Sequence, residues 1–363
     1  MNQDSSYNLC SINEEEKLQE WADFCASCFA YKANAPPASY FLSHFFNDPR
    51  RDASLVTVMK ESSSLKIVAS TRVFVRRISI GNGKSVEAGG IGEVCTSLDH
   101  RKKGLAKKLL LNAIQLMTDR NMNCSMLHAS PSLMNVYERN YKGVDSHWTI
   151  LPLDSKYFET EENALLERGN HLNVRLASFP NDTMELKTMH ESYSQERFCG
   201  CIIRTTEYWN EYIRHEIGDS LFVLTDQEKI LAWMSIQQRS ETRLRLREFG
   251  WCMENDVSVN IQDAFSCLIM TCMNSLMKEK GVVPESLFKQ DMELAIPSLV
   301  YKDLTADCEE NTSFPFMNQS LEVKNECDPG WMYKDLLDND LVDMSNVVNV
   351  LKVHHLIWPS DSF

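Results

Sequence analysis

The chain has 363 residues, 43% of them apolar, enough for two domains with cores of their own. Its formal net charge of −14 opposes a nucleic-acid partner, whose phosphates would be repelled over most of the surface. No apolar run reaches the roughly eighteen residues of a membrane span, and the first ten residues have neither the basic region nor the apolar core of a secretory signal. Twelve scattered cysteines fit a reducing compartment better than a disulfide framework, so the expectation is a cytoplasmic protein with no membrane partner.

In chain order, a helix is predicted over 14–29 and a second over 39–46, after the Ala35-Pro36-Pro37 break. Residues 55–60 and 67–76 read as strands joined by a polar hairpin at 61–65. Gly81-Asn82-Gly83 then turns the chain into a central strand at 90–98. Residues 99–104 are polar, basic and end in glycine, a loop. From 105 to 119, Leu105, Leu109, Ala113, Leu116 and Met117 recur near helical spacing, which predicts an amphipathic helix. A strand at 124–129 follows, then a helix from Pro131 to about residue 140. Residues 1–153 form the first predicted domain.

After an acidic, polar stretch at 154–169, a second domain is predicted over 170–300. A strand is expected from 174, a helix at 208–216, strands at 221–225, 230–237 and 244–252, and a long helix at 261–278. This repeats the plan of the first domain at lower fidelity. Residues 301–363 form a C-terminal region that is polar and irregular from 306 to 329. Chain ends are usually polar, yet this one carries Leu356, Ile357, Trp358 and Phe363, which favour burial.

The chemistry is expected where the 90–98 strand becomes a helix. Arg101-Lys102-Lys103-Gly104-Leu105-Ala106 places small residues at a helix start, where unpaired N–H groups and the dipole hold phosphate. Basic side chains surround that turn. Neither a GxxxxGK[ST] nor a GxGxxG pattern is present, and residues 254–261 of the second domain contain no such cradle. Cys25-x-x-Cys28 and Cys199-x-Cys201 lack a His pair at finger spacing and read as thiols rather than a zinc site, and His354-His355 likewise lacks further ligands.

The strand, the R-x-x-G-x-A loop, the helix, the next strand and Tyr137 together resemble the core of the GNAT superfamily of acetyl-CoA-dependent N-acetyltransferases. Gly89-Gly90-Ile91-Gly92-Glu93-Val94-Cys95-Thr96 followed by Arg101 to Leu105 is similar to the enhanced-intracellular-survival type. So is Tyr137-Glu138-Arg139 with Gly143, while the Trp358-Pro359-Ser360-Asp361-Ser362-Phe363 ending resembles the fungal lysine Nε-acetyltransferases.

The resemblance implies a mixed α/β (α+β) GNAT fold, its sheet mostly antiparallel and flanked by helices, with a degenerate GNAT-like second domain that lacks the cofactor. It implies acetyl-CoA held by Val94, Cys95, Thr96, Arg101, Lys102, Lys103, Gly104, Leu105 and Ala106, and Tyr137 as the acid that protonates the leaving thiolate. For the base, Glu93, Asp361 and the terminal carboxylate of Phe363 are all open, the resemblance favouring Phe363 with the tail returning to the active site. His128 closes the second strand beside the expected thioester channel. The expected acceptor is a small primary amine, lysine- or polyamine-like, attacked directly in a ternary complex. A protein lysine acceptor and a non-catalytic acetyl-CoA-binding regulator are the rivals.

Overall fold

A computed structural model describes residues 6–31, 35–159, 171–254, 258–283, 288, 291–306, 314–337, 344, 348 and 354–361. Within them the first unit runs β1 (Tyr7–Ser11), α1 (Leu18–Phe29), α2 (Ala38–Phe46), β2 (Val56–Glu61), β3 (Ile67–Ser79), β4 (Ser85–Thr96), α3 (Leu105–Asp119), β5 (Cys124–His128), α4 (Met134–Tyr137) and β6 (Lys142–Pro152). After α5 (Ser155–Phe158) come β7 (Leu172–Leu176), α6 (Thr183–His190), β8 (Phe198–Cys199) and a helical run at 206–217, α7, with a π-helical turn in its middle. Then follow β9 (Phe222–Asp226), β10 (Lys229–Gln238), β11 (Arg243–Trp251), α8 (Ile261–Lys280), β12 (Glu293–Pro297), α9 (Ser298–Thr305), β13 (Lys324–Asp335) and β14 (His354–His355).

One 12-stranded sheet crosses both units in the order β1-β2-β3-β4-β5-β13-β6-β12-β11-β10-β9-β7. Most neighbours are antiparallel; β4 with β5 and β11 with β12 are parallel. Helices pack on both faces of its first half. On one face Trp21 and Cys25 of α1 and Phe41 and Phe45 of α2 join Val56, Val58 and Cys95, and Trp21 Nε1 donates to Ser70 Oγ at 2.8 Å. On the other, Leu105, Leu109, Ala113 and Met117 of α3, one turn apart, cover β2, β3 and β4. In the second half, α8 lays Phe265, Leu268, Ile269 and Met273 against β9–β11.

Two features lock the units together. β13, from the C-terminal region, lies between β5 and β6 and pairs with both, Trp331 opposite His128 on one side and Val144 on the other. α7 lays Tyr208, Tyr212 and Ile213 into the same core as Ile78, Ala88, Met126 and Val144 of the first unit.

The 306–329 reading needs correction at its C-terminal end, because β13 begins at Lys324 inside it. Pro329-Gly330 masked the strand by breaking its alternation, and the structure absorbs them as a bulge between Asp328 and Trp331. The helix expected from Pro131 starts only at Met134, because Ser130–Leu133 is taken up by a turn closed by Leu133 N–H to Ser130 O. Of the apolar tail residues, Leu356 and Ile357 are each 2% exposed and Trp358 0%, as expected, Trp358 Nε1 donating to Ser194 Oγ at 3.1 Å, while Phe363 lies outside the described residues. Among the described residues no helix is long and apolar enough to cross a membrane.

Candidate active site

β4 and β5 run side by side only at Ala88–Gly90 and Cys124–Met126, and β4 then continues to Thr96 beyond the last pair. The mouth of a V opens between the two strands. On its other edge β4 is bulged: Arg72 pairs Gly92 and Ser70 pairs Cys95, so Thr71 alone stands opposite both Glu93 and Val94. Glu93 takes the extra residue's strain with φ +54, a left-handed conformation unusual for a glutamate. Val94 lies on the α3 side with Ile91, and Glu93 on the α2 side with His44 and Arg72.

After Thr96 the chain makes a short turn, Leu98–His100, and enters the basic loop. Lys102 has φ +62 and Gly104 φ +76, so the loop curls tightly into α3. Gly104 gives α3 no side-chain cap, and the first turn contains no acidic residue. The first amides of α3 are thus left for an anion, and a Cβ on Gly104 would meet nothing within 4 Å. Arg101 Nε donates to Thr96 O at 3.2 Å, and Lys103 Nζ donates to the Tyr7 hydroxyl at 3.0 Å, which also bonds His100 Nδ1 at 3.0 Å. Arg101, Lys102 and Lys103 are exposed; Leu105 is buried under the sheet, leaving its backbone alone to serve the loop.

A cavity of about 460 Å³ runs from this turn into the V. Thr71, Ile91, Val94, Ala106, Leu110 and Tyr137 line it, with Arg139 and Asn140 at one side. Tyr137 is half-buried and edge-on to Tyr141, and burial pushes its phenol above the ordinary value, so it is protonated at neutral pH. The uncapped helix start, the left-handed glycine with open space beside it and the apolar groove fit a diphosphate carrying a slender arm. Cys95 is turned from this groove toward α1.

Behind β4 lies a buried polar network. Glu93 Oε1 is 3.5 Å from His44 Nδ1 and 3.7 Å from Arg72 Nη1, too long for hydrogen bonds, and both Glu93 oxygens lack a hydrogen-bond partner. Its side chain is only 6% exposed. His44 Nε2 is hydrogen-bonded to the Tyr212 hydroxyl of α7, and Tyr40 stacks on the imidazole. Burial, then Glu216 and Glu93, raise the Tyr40 phenol to about 12. Arg72 and Arg76 meet on Asp48 Oδ2 at 3.3 and 2.9 Å. Burial alone would raise that carboxyl, yet the two guanidinium groups hold it below its ordinary value. Sequence reading missed His44, Arg72 and Tyr212, which carry no local motif and meet only in the fold.

Asp361 is committed elsewhere. Arg204 donates to it through Nε at 3.1 Å and Nη2 at 2.7 Å, and also reaches Glu248 at 2.7 Å, all three side chains fully buried. Phe363 lies outside the described residues. His128 closes β5, 3.1 Å from both oxygens of Asp328 and edge-on to Trp331. His355 sits between Ser146 Oγ and the Tyr333 hydroxyl, each at 2.7 Å. Among the described residues no group of His, Cys, Asp and Glu side chains converges as metal ligands.

Residues 11–140 match the model of an acetyltransferase (GNAT) domain, so the loop, the V and the cavity lie in or beside a GNAT domain. Over most of its length the wider fold is similar to solved structures, GCN5-related N-acetyltransferases among them. A probable N-acyltransferase of Enterococcus faecalis covers 91% of this chain and 72% of its own with a TM-score of 0.59 and 11% identity. Eis1 of Mycobacterium abscessus covers 91% and 74%, TM-score 0.51, 11% identical. The N-myristoyltransferase of Saccharomyces cerevisiae, solved with bound myristoyl-CoA, covers 92% and 84%, TM-score 0.54, 14% identical. No curated protein sequence matches the chain. Residues 11–140 thus match a GNAT acetyltransferase domain, set in a fold similar to these solved acyltransferases over nine-tenths of the chain.

Proposed function

We propose that the chain transfers acetyl from acetyl-CoA to a primary amine of a small molecule, lysine- or polyamine-like, with Glu93 as base and Tyr137 as acid. One observation carries the reading. A buried carboxylate without a hydrogen-bond partner stands at the bulge of β4, on the face opposite the cavity that Tyr137 lines. Residues 1–153 are read as the catalytic domain, 170–300 as a degenerate GNAT-like domain and 301–363 as a region that closes the site.

Acetyl-CoA would be held by the backbone of Gly104, Leu105 and Ala106, by Arg101, Lys102 and Lys103, and by the open edge of β4 at Val94–Thr96. It supplies the acyl group already activated as a thioester. The acceptor is an ammonium near pKa ~10.4 and must lose a proton before it attacks. Glu93 takes that proton on an oxygen that has no hydrogen-bond partner, with the Arg72 guanidinium 3.7 Å away. Tyr137 delivers its hydroxyl proton to the departing sulfur. The N–H groups of Val94 and Thr96 would polarise the acyl carbonyl, one such donor being worth roughly 3–4 kcal/mol in comparable sites. Attack is direct: interactions with Cys25 and Cys28, then burial, push the Cys95 thiol well up, which makes it a poor nucleophile.

Tyr212 of α7 reaches His44 on the Glu93 side of β4, and a helix closing that side favours a small molecule over a protein lysine. Acetyl-CoA turnover on free lysine, a polyamine and a lysine-containing peptide tests this. Acetylation of a free amine with the peptide inert supports the reading; acetylation of the peptide alone, or cofactor binding without turnover of any amine, overturns it.

A further inference from the structure

A second cavity, of about 440 Å³, opens over β6, β11, β12 and β13 and shares no lining residue with the first. Trp148 of β6 lines it at 4% exposure. Arg243 and Arg245, two apart on β11 and so on one face, reach it together with Arg239 from the turn before that strand. Glu326 and Asp328 of β13 complete its charged lining. Three arginines at one cavity run against the sign of a chain whose net charge is −14.

Their charges are not equally matched. Glu326 takes Arg243 through both oxygens, at 2.9 and 2.7 Å, and Glu293 stands 3.5 Å from the same guanidinium. Arg245 instead lies over the Trp148 ring, 4.0 Å from its centroid, with Asp328 Oδ2 at 3.9 Å, too long for a hydrogen bond. Asp328 is itself engaged by His128 and by the Gly330 N–H. Among the described residues the Arg245 side chain donates no hydrogen bond, and that of Arg239 has neither a hydrogen bond nor an ion pair. Stacking uses the face of a guanidinium and leaves its N–H edge open to an acceptor in the same plane. Burial, with Arg239 and Arg243 beside it and Asp328 opposing them, lowers Arg245 to about 10, so it keeps its charge at neutral pH.

We propose that this cavity binds the carboxylate of a small organic acid between Arg245 and Arg239, at a site separate from the acyl-transfer groove. A carboxylate matches the fork of one guanidinium with two parallel hydrogen bonds. Glu326 and Asp328 repel a second negative charge, which selects a monoanion over a phosphate. Trp148 and Ala295 offer an apolar wall to the carbon part of the ligand. None of these groups takes part in the proposed acetyl transfer.

The test titrates the full chain with benzoate and, separately, with phenyl phosphate by ligand-observed NMR, in the absence and presence of saturating acetyl-CoA. Benzoate is expected to bind, more tightly than phenyl phosphate, and to stay bound when acetyl-CoA is added. Arg245→Gln and Arg239→Gln are each expected to weaken benzoate by about tenfold or more, with the melting temperature kept. Arg239 is exposed, so its substitution reads the site even if Arg245→Gln fails to fold. Absence of benzoate binding, equal affinity in Arg239→Gln, tighter binding of phenyl phosphate, or displacement of benzoate by acetyl-CoA overturns the proposal.

Discussion

His44 of α2 is hydrogen-bonded through Nε2 to the Tyr212 hydroxyl of α7, so the imidazole that faces Glu93 is fixed by a helix of the second unit. A unit without a recognisable phosphate loop thereby shapes the site of the unit that has one. Tyr212→Phe removes this bond and leaves the ring. The expected result is a loss of roughly 1 kcal/mol, or about fivefold, in kcat/KM, with acyl-CoA affinity unchanged. Steady-state kinetics beside calorimetric binding checks it.

Tyr137→Phe removes only a hydroxyl from the cavity wall. Without its proton the sulfur leaves as a thiolate, and kcat is expected to fall by about a hundredfold or more while the dissociation constant for acetyl-CoA stays within about twofold. A variant that binds the cofactor poorly would instead make Tyr137 part of the groove alone.

Gly104 takes its left-handed φ of +76 in open space, so Gly104→Ala meets no side chain and pays only in backbone strain. Thermal denaturation is expected to show a loss of roughly 1–2 kcal/mol. Acyl-CoA affinity is expected to fall with it, because strain at this position tilts the first turn of α3.

Burial lowers the His355 imidazole to about 3, with both ring nitrogens bonded to hydroxyls. The unfolded chain binds the proton near pH 6.5 and the folded chain only near 3, so the unfolded state holds more protons between these values. His355 therefore costs no stability above about pH 6.5, and the fold loses roughly 1.4 kcal/mol per pH unit as pH falls from there toward 3. Urea denaturation of His355→Gln at pH 7 and pH 5 is expected to show a smaller difference than the parent chain.

Much of the first unit was legible because its signals are local. Helix α3 spans the predicted 105–119, its apolar positions falling one turn apart and its start fixed by Gly104. β9, β10 and β11 lie within a residue of their predicted bounds for a similar reason, short apolar stretches between polar turns, whereas β8 and β12 carried no such signal and were not predicted. β13 was not legible, since Pro329-Gly330 interrupts it and its partners β5 and β6 lie far away in sequence. Nor was the bulge: nothing in Gly92-Glu93-Val94 announces a glutamate with φ +54, which the pairing with β3 imposes. The Glu93, His44, Arg72 and Tyr212 cluster joins three regions of the chain, and only tertiary packing brings it together.

The most direct test compares Glu93→Gln with a chain extended by one glycine after Phe363, in single-turnover acetyl transfer to the best amine with acetyl-CoA binding measured alongside. If Glu93 is the base, Glu93→Gln binds acetyl-CoA normally and transfers at least about a hundredfold more slowly, while the extended chain keeps its rate. A Glu93→Gln chain that transfers normally, with the extended chain slowed, would contradict the account and move the base to the terminal carboxylate.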